Sequence, residues 1–201
     1  MGEGIDEEKR STLRRFAAVG AAAPLARFAD LDRGESQVRD AMAGYLSTTP
    51  GAHFSKLRDD LHLGTGEAQH HLRHLQQSNA VESHKDGDYR RFFPAERFSA
   101  FEKVALGYLR RDTPRGMVLA LLRDPDLSGR DLAAELGVSA ATVSKYAAEL
   151  EAAGLLDRED GYRLERPETL ITLVLRYADS FDADTTDFAA DAAALISYDP
   201  K

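Results

Sequence analysis

The chain has 201 residues, 43% of them hydrophobic and 30% charged, a balance that can bury a core in one or two domains. It contains no cysteine, which excludes disulfides, thiolate metal sites and a cysteine nucleophile. The net charge is −8 but unevenly spread: residues 101–201 carry 12 Lys/Arg against 19 Asp/Glu, so a polyanion would have to meet the first half or a local patch.

In chain order, residues 1–35 are expected to form an N-terminal helical segment. Within it, "STLRRFAAVGAAAPLARFA" (11–29) sets Arg14-Arg15 before a short apolar run, which resembles a twin-arginine export signal. The run falls short of the ~20 apolar residues that a bilayer span needs. We read it instead as a helix packed on the body of a cytoplasmic protein.

From there the sequence repeats itself. A shift of 75 residues lays Leu57 on Leu132, Leu61 on Leu136 and Leu63 on Val138 without a gap. The same shift lays Ala68 on Val143, Leu75 on Leu150 and Val81 on Leu156. An ungapped internal match means two copies of one unit. Each copy opens with a helix, "SQVRDAMAGYL" (36–46) or "RGMVLALLRD" (115–124). A short helix with apolar residues four apart follows, over 53–63 or 128–138. After a tight turn in which Thr65 or Ser139 could cap, a second helix runs over about 66–78 or 140–153. Asn79 and Gly154 stand at equivalent places at its end, and these are the residue types that accept the left-handed conformation found there. Two strands around an Asp-Gly turn close each copy, "AVESHKDGDYRRFF" and "LLDREDGYRLER".

Helix, turn, helix and hairpin make a winged helix-turn-helix. The expected fold is therefore mainly α with small β-hairpin wings. Its domains are residues 36–98 and 112–166, joined by a linker helix over 99–111 and followed by an acidic helical segment, 167–201. The frame "PGAHFSKLRDDLHLGTGEAQHHLRHL" leading into "GDYRRFF" resembles archaeal regulators related to the ArsR and MarR families. The second copy, "RDLAAELGVSAATVSKYAAELEAAGLL", is similar to the general bacterial and archaeal helix-turn-helix of transcription factors. Abundant Ala and Asp, with only six lysines, resemble salt-adapted haloarchaeal composition.

In such folds the second helix enters the major groove, and its apolar stripe fixes which side chains face out. With Ala68, Leu72 and Leu75 inward, Glu67, Gln69, His70 and Arg73 face outward. With Val143, Ala147 and Leu150 inward, Thr142, Ser144 and Lys145 take that role. Gln suits adenine, Arg suits guanine, and Lys or Ser suits phosphate. Arg90 and Arg91 on the first wing are expected to reach a minor groove or the backbone. Glu67 is the departure, since a carboxylate repels phosphate unless it accepts from cytosine or pairs with a neighbour such as Arg73. The second wing, "DREDG", is acidic.

All six histidines fall between residues 53 and 84. His70 and His74 have the i, i+4 spacing that can hold a metal, but no third ligand is evident, so no metal or cofactor is expected. Clustered imidazoles gain charge below about pH 6.5, which would make DNA affinity depend on pH. No phosphate-binding glycine loop, G-x-S-x-G or H-E-x-x-H occurs, and no enzyme activity is expected. The helix over 167–181 carries Leu170, Leu173, Val174, Tyr177 and Phe181, and needs a partner surface, either the N-terminal segment or a second chain. The resemblance implies double-stranded DNA as the partner and a homodimer built through terminal helices, with a monomer that uses its two units as an internal pair as the alternative. The rival reading is a protein–protein adaptor of a chromosome-organising complex, a role that tandem winged helices also serve without reading bases.

Overall fold

Two units divide the chain, Met1–Ser99 and Ala100–Lys201. The computed structural model describes residues 3–21 and 33–195. The 22–32 part of the expected N-terminal segment, and everything from 196 on, lie outside the described residues.

In the first unit, α1 (Glu3–Ala21) packs along α2 (Arg33–Thr48). Leu13 enters the core, and the Phe16 ring meets Tyr45 edge-on at 5.2 Å. The Arg14-Arg15 stretch therefore lies in a helix docked on this unit. Among the described residues no helix is long and apolar enough to cross a membrane. A short strand β1 (Ala52–His53) leads into α3 (Phe54–Asp60), then α4 (Thr65–Gln77), β2 (Val81–Asp86) and β3 (Tyr89–Pro94). Strand order is β1-β3-β2, all antiparallel, with β3 central. The core gathers Met42 and Leu46 of α2, Leu57 of α3, Ala68, Leu72 and Leu75 of α4, and Phe92 of β3.

The second unit repeats the plan with α6 (Asp112–Arg123), α7 (Gly129–Glu135), α8 (Ala140–Ala152), β4 (Leu156–Asp157) and β5 (Arg163–Leu164). The 75-residue shift holds at the level of single hydrogen bonds. Leu63 N–H donates to Arg58 O and Val138 N–H to Ala133 O; Ala80 N–H donates to Leu75 O and Leu155 N–H to Leu150 O. It holds also at the left-handed turn positions, His62 with Gly137 (φ 53° and 63°) and Asn79 with Gly154 (56° and 69°). Each closes a helix whose last carbonyls are met only when the chain turns left-handed.

Three expectations give way. The helix over 99–111, expected as a linker, is α5 (Ala100–Leu109), and it packs on α6 and α9 (Pro167–Tyr177) of its own unit. The apolar face of α9 needs neither the N-terminal segment nor a second chain. Leu170, Leu173, Val174 and Tyr177 are buried, and α9 packs on α5, α6 and α10 (Ala183–Leu195). A 3-10 turn, Ala178–Ser180, bends the chain between α9 and α10, and buried Arg115 holds that corner through Asp182. The second wing is much shorter than its sequence suggests, with two residues in each strand. Its Glu159 N–H donates to the Asp157 carboxylate at 2.9 Å, a local turn that competes with the strand ladder.

Candidate nucleic-acid interface

The N-terminus of α4 is built differently from that of α8. Ser139 caps α8 by accepting from Thr142 N–H at 3.1 Å. At the corresponding place stands Gly64, which has no side chain to offer; Thr65, expected as the cap, is already the first helical residue. Glu67 compensates from three residues on, accepting Gly64 N–H at 3.2 Å. Its carboxylate also takes Lys9 Nζ of α1, at 2.9 Å and 3.1 Å. Burial alone would raise the Glu67 carboxyl, but the hydrogen bonds from Lys9 and Gly64 N–H, with the Lys9 charge, outweigh it and hold it below its ordinary value. Glu67 is half-buried and committed to Lys9: it pairs with a neighbour, one of the two ways out the sequence offers, but the neighbour is Lys9 and not Arg73.

Behind this first turn, Ala68, His71, Leu72 and Leu75 are buried. Gln69, His70 and Arg73 are exposed, and His74 and Gln77 extend the same face. Among the described residues no ion pair engages Arg73, so its guanidinium is available to a ligand. Gln76 Nε2 donates to Ser83 Oγ at 3.3 Å, which ties the end of α4 to the wing.

The wing separates its two arginines. Arg90 is exposed and lies directly across the hairpin from Lys85, also exposed. Beside them Tyr89 is 53% exposed, and its ring is 5.5 Å from that of His53. Arg91, expected on the DNA-facing surface, is 2% exposed. Its Nε pairs with Asp86, and its Nη1 donates to Gly51 O at 3.0 Å. Strand alternation puts Arg90 and Arg91 on opposite faces of the hairpin, and on its own face Arg91 is drawn inside by Asp86 and the Gly51 carbonyl. Arg91 anchors the wing from inside, and it neutralises Asp86 next to the exposed cations. Lys85 is not among the residues the sequence singles out, because an Asp86-Gly87 turn would set it opposite Asp88; the observed turn is Gly87-Asp88, which pairs it with Arg90.

Beside Arg91 across the sheet stands His53. Its Nδ1 accepts Lys56 N–H at 3.2 Å, capping α3. Burial first, then the Arg91 and Lys56 charges, lower its proton affinity, so it serves as a neutral acceptor.

The second unit presents another face. Ser144 and Lys145 are exposed, whereas Thr142 is half-buried, its hydroxyl 2.9 Å from that of Ser139. Lys145 Nζ is 3.9 Å from Glu149, which also meets Arg111 at 3.5 Å. Where the first copy has Arg73, His74 and Gln77, the second has Ala148, Glu149 and Ala152. Its wing loop exposes Glu159 and Asp160. The expected contact residues are thus not equivalent: the first unit offers a cationic, amide-bearing face, the second a small-residue face with an acidic flank.

Comparison with known proteins bears on both units. Residues 36–106 match a family described as an N-terminal HTH domain, and residues 112–163 match the MarR family. A curated relative from Methanocaldococcus jannaschii, an uncharacterised HTH-type transcriptional regulator, is 27% identical over 130 residues. That alignment covers 64% of this chain and 32% of the relative, so the chain spans about a third of the relative's length. No solved structure matches the chain.

Proposed function

We propose that the chain, a tandem winged helix-turn-helix protein whose second unit matches the MarR family, is a sequence-specific DNA-binding transcriptional regulator. α4 enters the major groove, where Gln69 and Arg73 meet base edges and His70 meets base or phosphate. Arg90, with Lys85 opposite it, carries the wing onto the flanking backbone or minor groove. In the second unit Ser144 and Lys145 add contacts to phosphate, while Thr142 serves the helix cap. The protein acts as a homodimer, which sets the spacing of two half-sites. The observation that carries this reading is the α4 face itself: a buried apolar stripe on one side and, on the other, an exposed Arg73 that no ion pair engages among the described residues.

The test is retention of promoter-length duplexes, compared with unrelated duplexes of equal length, by wild type, Arg73→Ala and Arg90→Ala across a salt series. Each variant is expected to bind more weakly and to lower the salt slope by about one, with Arg73→Ala also losing preference between sequences. Unaltered binding in both variants would refute the contact model. It would turn attention to the adaptor reading, which the alanine-rich face of α8 and the acidic second wing favour.

A further inference from the structure

α1 lies outside both matched regions, yet one of its side chains ends at the recognition helix. Leu13 and Phe16, one and two turns further along, are fixed on the core and on Tyr45. Lys9 is therefore delivered to Glu67 by a docked helix. Glu67 sits in the first turn of α4, the end that enters the groove. An uncompensated carboxylate there opposes the phosphates on either side. It also weakens the favourable positive end of the helix dipole that an approaching phosphate would meet. A single partly buried pair adds only modestly to fold stability, so its main weight falls on the electrostatic field at the helix end.

We propose that Lys9 is a positioning residue for DNA binding: it cancels the Glu67 charge and holds the carboxylate turned back onto Gly64 N–H, which makes α1 a working part of the DNA-reading face. The inference rests on the regulator reading above and answers the difficulty that Glu67 poses in the sequence. Lys9 itself touches no DNA in this scheme. Its effect passes entirely through Glu67, and that is the property to test.

A duplex retained by the wild type is titrated by fluorescence anisotropy over a salt series, with thermal melts recorded alongside. The variants are Lys9→Met, Lys9→Arg, Glu67→Gln and the Lys9→Met/Glu67→Gln double variant. Lys9→Met should weaken binding about three- to tenfold at low salt, the size expected of one unscreened charge several ångströms from phosphate. Lys9→Arg should restore most of it. Glu67→Gln, which keeps the acceptor for Gly64 N–H, should bind as well as wild type or better, and the double variant should match it. The melts should barely move. A Lys9→Met loss that persists undiminished in the Glu67→Gln background overturns the proposal, since Lys9 would then be meeting DNA directly. Weaker binding by Glu67→Gln alone also overturns it, marking Glu67 as a base contact. A wild type that retains no duplex removes the regulator reading and this inference together, a result distinct from retention indifferent to Lys9.

Discussion

Replacing Arg91 by alanine separates an interior arginine from a surface one. The side chain is 3% exposed and its partner Asp86 11%. Truncation takes the guanidinium away from that carboxylate and removes the donor to Gly51 O, a bond 40 residues long in sequence that ties the wing to the turn after α2. Breaking a buried ion pair on one side costs about 3–5 kcal/mol. Asp86 lies at the hairpin end and can swing toward water, so the lower figure, about 3 kcal/mol, applies. A unit of this size shifts by roughly 4–8 °C per kcal/mol, which places the loss in the first unit's melting temperature at about 12–24 °C. Asp86→Asn in the same background should recover part of it by removing the charge that Arg91 neutralises. Circular dichroism melts, with DNA salt titrations run well below the transition, read both properties. The burial argument fails if Arg91→Ala melts within ~3 °C of wild type while lowering the DNA salt slope by about one, the signature of a surface phosphate contact.

Four further outcomes are expected. Arg90→Ala should do the reverse of Arg91→Ala, reducing the salt slope by about one with little change in melting. Gly154→Ala should cost the second unit about 1 kcal/mol in denaturant unfolding, because φ is 69° with no atom near the added methyl, leaving conformational strain as the only cost. Asn79→Gly, at the matching place, should stabilise the first unit by a few tenths of a kcal/mol, roughly the left-handed penalty that asparagine still bears. His53 has its proton affinity lowered in the fold, so the unfolded chain protonates first. Stability is thus complete above the ordinary value of about 6.5 and declines as pH falls through the folded one. His53→Asn, which keeps a capping acceptor, should flatten that decline in pH-dependent melts, and an unchanged slope would show that His53 does not cause it.

Much of this architecture was legible before any coordinates. The duplication predicts the paired left-handed residues Asn79 and Gly154, the buried stripes of α4 and α8, and the exposure of Gln69, His70 and Arg73. These are local properties, set by helical periodicity and by the few residue types that tolerate a left-handed turn. The second wing is shorter than its Asp-Gly signal predicts, because that signal does not reveal a side chain such as Asp157 that captures a nearby N–H.

The sequence by itself therefore determined the repeated helix-turn-helix units and the outward row of the first recognition helix, since each follows from contacts within a few residues. Only the tertiary structure decided that Arg91 points inward to Asp86 and Gly51, that Glu67 belongs to Lys9, and that α9 is covered by α5, α6 and α10. Those partners lie 5, 40 and 58 residues away for the two charged groups. A charge's role depends on which distant groups share its space, and no periodicity along the chain records that.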